Sequence, residues 1–193
     1  IILAKTNLHE FAIWGESISS IKGQTYNPYD LTRTPGGSSG GTGSALAANF
    51  GLVGIGTDTI NSIRSPSSAN NLVGIRPTVG LVSDDGIVPY SLIQDTAGPM
   101  ARNVADAVAV LKVIAVQDLP EVHVSDCQRI GVLRSFFGSE PINAEVNRVM
   151  AQTIAELSQA GAEIIEIDDR ILIGELVANI SVHLYDLKAH LNS

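Results

Sequence analysis

Hydrophobic and polar positions follow two different periods along the first part of the chain. Short, almost wholly apolar runs are typical of strands buried in a sheet, whereas apolar positions three and four residues apart are typical of amphipathic helices. These patterns predict strands at residues 1–4 and 52–57 and helices at residues 8–12, 44–50 and 103–116. Turn-forming residues between them predict an extended loop over 15–34 and short strand or loop pieces over 60–100.

The second part of the chain continues the alternation of strands and helices after a predicted linker at residues 120–126. The elements predicted beyond it are a strand at 130–133, a helix at 143–159, a strand at 163–167 and a helix at 174–191. Strands that alternate with helices over this length are typical of a layered α/β fold. We therefore predict the α/β class.

Composition places the chain among folded globular proteins. Of its 193 residues, 45% are hydrophobic and 17% are charged, which provides a core and argues against disorder. The formal net charge of −8 argues against a nucleic-acid surface, because phosphates are bound by clustered Lys and Arg. No apolar run approaches the roughly 20 residues of a membrane span. The compartment stays open, with the cytoplasm slightly favoured.

Both ends of the sequence suggest a fragment. The chain begins at Ile1, without Met, inside a predicted strand, and it ends at Ser193 inside a helical pattern. We therefore expect a piece of a longer protein, whose oligomeric state the sequence leaves open.

Neither cysteine nor histidine predicts a metal site. Cys127 is the single cysteine, which excludes an internal disulfide and a multi-cysteine metal site, and we expect it to be structural. The histidines, which we expect in helices or linkers away from the serines described below, are His9, His123, His183 and His190.

The most informative feature is a pair of loops that each present a serine. Ser38 lies in a glycine-rich loop at residues 34–43, and Ser62 follows the predicted strand at 52–57. A helix and a strand fit between them, so the topology can return both loops to one edge of a sheet. A phosphate-binding loop is disfavoured, because Thr42 stands where that motif requires lysine. A flexible turn would explain the glycines but not the serines, so we favour a nucleophile with a neighbouring hydroxyl relay.

Four motifs in this order resemble the amidase signature family. They are GGSSGGTG at 36–43, GIGTDTINSIRSP at 54–66, VGIRPTVGLVS at 73–83 and QDTAGPMAR at 94–102. The resemblance is nearly continuous to about residue 115 and weaker beyond it. It implies a layered α/β/α fold with a mixed central sheet, incomplete in this chain. Residues 1–119 would form the core with the serine loops, and 120–193 a second, truncated part of the same domain.

The resemblance also implies roles for individual residues. The family uses a Ser–cis-Ser–Lys triad, in which Ser62 corresponds to the acylated nucleophile and Ser38 to the serine after a cis peptide bond that relays the proton. The residues similar to those whose backbone N–H groups form the oxyanion hole are Thr59, Ile60, Asn61 and Ser62. The residues similar to those that orient the loop are Ser39, Asp58 and Arg64.

The lysine of the triad has no counterpart in this chain. The resemblance places it in a segment some tens of residues before the matched region. Lys5 aligns with a motif that follows that segment, and Lys22 lies in the predicted surface loop, so neither is expected to be the base. Free lysine has a pKa of about 10.4 and accepts a proton at neutral pH only when burial or a nearby cation lowers that pKa.

The sequence departs from the family at Ile60 and Asn61, where two glycines are usual. Backbone donors tolerate side chains if φ is negative, but Ile60 could not adopt a positive φ comfortably. We expect an altered loop or a narrower pocket with the oxyanion hole retained.

These observations predict an amidohydrolase that cleaves a linear carboxylic amide of a small molecule or peptide through a serine acyl-enzyme. No metal or organic cofactor, nucleic-acid partner or membrane span is implied. Two alternatives stay open. One is an amidotransferase subunit that acts on mischarged tRNA, although residues 86–98 look more like free-standing amidases, including peptide amidases. The other is an inactive fragment or a non-catalytic scaffold.

Overall fold

The structure, a computed structural model, describes residues 1–121, 129–167 and 183–191. The chain divides into two compact units, one formed by Ile1–Leu119 together with Val182–Ser193 and the other by Pro120–Ser181. The C-terminal helix therefore belongs with the first unit. That residues 1–119 and 120–193 are two parts of one domain stays a prediction.

A three-stranded antiparallel sheet lies at the centre of the first unit. The strands, in chain order, are β3 (Val53–Asp58), β4 (Val73–Gly74) and β5 (Thr96–Ala101). Strand β5 lies between the other two and is buried along its whole length. Asp58 pairs with Thr96 at the end of β3, so the loop that follows β3 begins beside the start of β5.

Two short helices pack against this sheet. Helix α1 spans Gly40–Ala47 and helix α2 spans Arg64–Ala69. Leu46 from α1, Ile63 just before α2 and Met100 from β5 form one fully buried cluster. The glycine-rich loop leads into α1, and the loop after β3 leads into α2. Packing in this cluster therefore keeps the two loops on adjacent elements.

A longer helix closes a second part of the core. Helix α3 spans Val104–Ile114, and the Asn103 side chain caps it by accepting a hydrogen bond from the Asp106 N–H at 2.8 Å. Leu111 of this helix packs with Val82 and Ala97. The helix predicted over residues 103–116 from its apolar pattern is therefore confirmed.

The segment before the glycine-rich loop differs from its prediction. Residues 1–4 form no strand, because a strand needs a hydrogen-bonded neighbour and these residues pair with none among the described ranges. The helix predicted at 8–12 is only a 3₁₀ turn at Glu10–Ala12, since Phe11 and Ala12 adopt positive φ angles of 53° and 56°. The predicted loop contains a small hairpin of β1 (Ile18–Ser19) and β2 (Gly23–Gln24).

Two further differences concern helix boundaries near the serines. Helix α1 begins at Gly40, four residues before the predicted start, because the glycines continue directly into its first turn. Helix α2 was not predicted, since Pro66 indicates a break in the sequence. Pro66 lies in the first turn of this helix, where its missing N–H group costs no hydrogen bond within the helix.

The second unit contains a parallel strand pair and one long helix. The elements are β6 (Arg129–Val132), α4 (Ala144–Gln159) and β7 (Glu163–Glu166). They agree with the predicted strands and helix to within about a residue. Cys127 and most of the predicted linker at 120–126 lie outside the described residues.

The remaining helix, α5, spans His183–His190 and is the described part of the helix predicted over 174–191. Helices and sheets together confirm the α/β class. Within the described ranges each sheet is either antiparallel or parallel throughout. No helix among the described residues has both the length and the apolar character needed to cross a membrane.

Candidate active site

Ser38 lies at the centre of the glycine-rich loop, in a fully buried position. The peptide bond between Gly37 and Ser38 is cis, as the resemblance implied. Gly36 has a φ of 69°, and a Cβ there would lie only 2.8 Å from the Pro66 nitrogen, so glycine is required at this point. The Ser38 Oγ is buried and has no hydrogen-bond partner in the described part of the chain. A buried hydroxyl without a partner is unfavourable, which makes Ser38 a candidate for interaction with a reacting group.

Ser17 holds this loop in place. It is fully buried and has a φ of 56°. Its Oγ accepts a hydrogen bond from the Gly40 N–H at 2.9 Å and lies within donating distance of the Gly36 and Ser38 carbonyls, at 2.9 and 3.1 Å. Sequence reasoning missed Ser17, because nothing in the turn-rich segment around it distinguishes this serine from its exposed neighbours.

Ser39 joins the two serine loops. Its backbone N–H donates to the Ser62 carbonyl at 3.2 Å. Its Oγ accepts from the Thr57 N–H at 3.1 Å and lies 3.2 Å from the Thr57 carbonyl. The predicted return of both loops to one edge of the sheet is therefore present. Ser39 thus contacts both the loop of Ser62 and strand β3.

Asp58 anchors the loop after β3 from a fully buried position. One carboxylate oxygen accepts from the Ile63 N–H at 3.0 Å and from the Arg64 Nε at 3.3 Å, and the other accepts from the Arg76 Nε at 3.2 Å. The Arg64 guanidinium also donates to the Ile60 carbonyl. Two cations and a backbone donor thus compensate for the burial of one carboxylate.

Arg76 was not among the residues singled out from the sequence. Besides its ion pair with Asp58, its guanidinium donates to the Gln94 carbonyl at 2.8 Å. It therefore connects the VGIRP motif to the segment that precedes β5. The signal was present, since an arginine inside an apolar motif is rarely buried without an acidic partner.

Asp95 holds the other side of the same loop. Its Oδ1 accepts from the Thr59 hydroxyl at 2.5 Å, and its Oδ2 accepts from the N–H groups of Tyr90 and Ser91 at 2.7 and 2.8 Å. Burial and the nearby Asp95 carboxylate raise the pKa of Tyr90, so its hydroxyl stays protonated. Asp95 was quoted only as part of a motif, and its role depends on contacts that the sequence does not reveal.

A pocket of about 490 Å³ opens beside Ser62. Its described lining comes from five separate stretches of the first unit, namely Ala12, Ile13, Trp14, Gly15, Glu16, Thr34, Thr59, Ile60, Asn61, Ser62, Tyr90 and His183. The four residues predicted for the oxyanion hole all line it. The residues Ser38, Ser39, Asp58 and Arg64 do not; the first three are fully buried, whereas Arg64 is exposed.

The loop at Ile60 and Asn61 avoids positive φ angles, which was the condition for keeping its backbone N–H groups as donors. Neither residue is among those with positive φ angles. The Ile60 side chain points outward enough to remain 49% exposed. The side chain therefore changes the surface of the pocket, whereas the backbone conformation is one that any residue can adopt.

The lysines lie elsewhere. Lys5 and Lys22 are exposed and line a separate pocket of about 340 Å³ together with Glu10. Neither lies in the lining of the Ser62 pocket. That neither is the general base stays a prediction.

The expectation that the histidines lie away from the serines is wrong for two of them. The backbone N–H of His9 donates to the Ser38 carbonyl at 2.9 Å. His183 lines the Ser62 pocket, and its ring packs edge-on against Tyr90 with the ring centres 5.1 Å apart. These contacts arise from the folding of distant segments, which helical periodicity does not reveal. No cluster of His, Cys, Asp or Glu suited to a metal ion occurs within the described ranges, and His123 lies outside them.

Comparison with known proteins gives consistent relatives. The family model described as Amidase matches residues 1–182. A glutamyl-tRNA(Gln) amidotransferase subunit from Chlorobaculum tepidum is 41% identical over 184 residues, which cover 87% of this chain and 38% of that protein. The chain thus spans about two fifths of the length of this curated relative.

The solved structures that resemble this chain include a peptide amidase and an amidotransferase subunit. The native peptide amidase from Stenotrophomonas maltophilia superposes with a TM-score of 0.79 at 39% identity, over 99% of this chain and 44% of that one. The corresponding glutamyl-tRNA(Gln) amidotransferase subunit from Thermotoga maritima gives a TM-score of 0.79 at 25% identity, over 100% of this chain and 44% of that one. Both share the fold described above.

Proposed function

The chain belongs to the amidase family, and on this premise we propose that the whole protein cleaves a carboxylic amide with Ser62 as the nucleophile. The observation that carries the proposal is the hydrogen bond from the Ser39 N–H to the Ser62 carbonyl at 3.2 Å. It fixes the loop of the buried Ser38 against the loop that lines the pocket. A nucleophile, a neighbouring hydroxyl and a row of backbone donors are the groups that acyl transfer requires.

The proposed reaction has two half-reactions. The Ser62 Oγ bonds to the amide carbonyl carbon while its proton passes to Ser38 and from there to a base. The resemblance implies that this base is a lysine outside residues 1–193. The C–N bond then breaks, the amine leaves with a proton, and the acyl group stays on Ser62. Water adds to the ester, which releases the carboxylic acid and restores the serine.

The remaining groups of the proposed site would stabilise developing charge or hold the two serine loops in position. Backbone N–H groups of Thr59 to Ser62 would stabilise the oxyanion, an effect worth about 10²–10³ in rate for one donor in well-studied hydrolases. Asp58 and Asp95 would hold this loop from its two sides. Ser39 would keep the two serine loops in register. No step of this reaction requires a metal or an organic cofactor.

The test is ammonia release from simple amides by the whole protein. We expect Ser62→Ala to abolish turnover and Ser38→Ala to lower kcat by about 10²-fold or more, because proton transfer typically contributes about 10²–10⁴. Ser68→Ala is the matched control, since Ser68 is exposed on helix α2, and it should keep wild-type rates. Full activity in Ser62→Ala would refute the proposal. Inactivity of the wild-type whole protein would favour a non-catalytic scaffold.

A second candidate is an amidotransferase that uses glutamine as its nitrogen donor. It is favoured by the 41% identity to a relative with the name of an amidotransferase subunit. The two functions share the chemistry at Ser62 and differ in the acceptor of nitrogen. Glutaminase activity that rises when glutamyl-tRNA(Gln) is added would favour the amidotransferase. Hydrolysis of other amides without tRNA would favour the free-standing amidase.

A further inference from the structure

The pocket beside Ser62 exposes apolar side chains where a substrate would lie. Three large hydrophobic residues of its lining are accessible, with Trp14 64%, Ile60 49% and Ile13 39% exposed. They come from two separate segments of the chain but face one concavity. Exposed apolar side chains grouped in a concave site mark a binding surface for an apolar group, because each loses contact with water when the site is filled.

The charge of the lining points in the same direction. Among its described residues, Glu16 carries the only carboxylate, and none is Lys or Arg. A ligand that bears a carboxylate at this position would lie near a like charge, with no Lys or Arg of the described lining to compensate it. The described lining therefore suits a neutral, apolar group better than an anionic one.

Ser62 indicates which part of the substrate occupies the pocket. The acyl group stays bonded to Ser62 through both half-reactions, whereas the amine leaves after the first. A pocket that starts at Ser62 thus contacts the acyl group throughout. Its volume of about 490 Å³ accommodates a group larger than acetyl.

We propose that this pocket binds an apolar acyl chain, and that Ile60 and Trp14 determine the preference for it. The proposal rests on the function proposed above, and it names the substrate class of the same site. Ile60 is the informative residue, because it lies in the oxyanion loop itself. Its backbone would hold the carbonyl oxygen while its side chain contacts the first carbons of the acyl chain.

The test compares three amides with the whole protein. Hexanamide offers an apolar chain, acetamide offers almost none, and adipamate is hexanamide with a terminal carboxylate. We expect kcat/KM to be at least about tenfold higher for hexanamide than for acetamide, since each added methylene in an apolar pocket contributes a factor of several. Adipamate should be slower than hexanamide by about tenfold or more, because its carboxylate meets Glu16.

Substitution at the pocket then assigns the preference. Ile60→Ala and Trp14→Ala should each lower kcat/KM for hexanamide about five- to tenfold more than kcat/KM for acetamide. Ile21→Ala is the matched control, because Ile21 is 84% exposed and lies outside this pocket. It should leave both substrates unchanged.

The outcomes separate the two proposals. Equal rates for hexanamide and acetamide, equal losses on both in Ile60→Ala, or faster turnover of adipamate would overturn the apolar acyl preference alone. Absence of ammonia from all three amides would overturn the proposed function and this inference with it.

Discussion

Two carboxylates hold the loop that contains Ser62. Asp58 is fully buried and contacts the later part of the loop through Ile63 and Arg64, whereas Asp95 contacts its first residue, Thr59. Hydrogen bonds to charged groups are stronger than those between neutral groups, so each carboxylate fixes its side of the loop firmly. The proposed backbone donors lie between these two sets of contacts.

The role of Asp95 can be tested by substitution in the whole protein. Asp95→Ala removes the acceptor of three hydrogen bonds, and we expect it to lower kcat for amide hydrolysis by about tenfold or more with a smaller change in KM. Asp95→Asn keeps one acceptor and should recover part of this loss. Asp85→Ala is the matched control, because Asp85 is an exposed carboxylate of a nearby turn. An unchanged kcat in Asp95→Ala would show that the loop does not need this support.

Single residues mark the limit of what could be predicted. The roles proposed for Ser38, Ser39, Asp58 and Arg64 come from the resemblance of contiguous motifs to the family, and all four residues lie in or beside the serine loops. Ser17 and Tyr90 contribute through contacts between distant segments, and no local pattern identifies them. The same reason explains why His183 was expected far from the serines, although it lines the pocket with Ser62.

At the scale of elements, the first turn of helix α1 packs closely against Asn7 and Ser17, which precede it in the chain. A Cβ on Gly40 would lie 2.2 Å from the Ser17 Oγ, and one on Gly41 would lie 2.3 Å from the Asn7 carbonyl oxygen. Real Cβ atoms do not approach other atoms so closely. The glycines of the loop therefore serve close packing of the helix start as well as the turn around Ser38.

Gly40→Ala tests this packing. We expect the free energy of unfolding of the whole protein to fall by about 1–3 kcal/mol, because the new methyl group displaces the Ser17 hydroxyl that holds the loop. Gly51→Ala is the matched control, since its Cβ would meet its nearest neighbour at 3.5 Å, an ordinary contact. Urea denaturation measures both. Equal losses in the two variants would contradict a specific role for the close approach at Gly40.

Elements with a strong hydrophobic period were predicted well, and elements that depend on partners were not. Helices α3 and α4 and strands β3, β6 and β7 lie within about a residue or two of their predicted bounds. The strand predicted at residues 1–4 failed because apolar composition alone does not supply a hydrogen-bonded neighbour. Helix α2 was missed because Pro66 was interpreted as a break, although proline is tolerated in a first helical turn.

Across the whole molecule, the order of four motifs was more informative than composition. Net charge and apolar content indicated a folded protein without a nucleic-acid surface, but they indicated no chemistry. The motifs identified the family, and the match to the Amidase model over residues 1–182 confirms it. The proposed substrate class depends on side chains that line the pocket, in particular Trp14 and Ile60, which come together only in the folded chain.

Covalent labelling of the whole protein with a fluorophosphonate, followed by peptide mass spectrometry, asks directly whether Ser62 is an activated nucleophile. Such probes form a stable bond with an activated serine. We expect a single adduct on Ser62, formed at least about tenfold more slowly in Ser38→Ala because the relay is lost. An adduct on another serine, or no adduct in a protein that still hydrolyses amides, would contradict the assignment of Ser62.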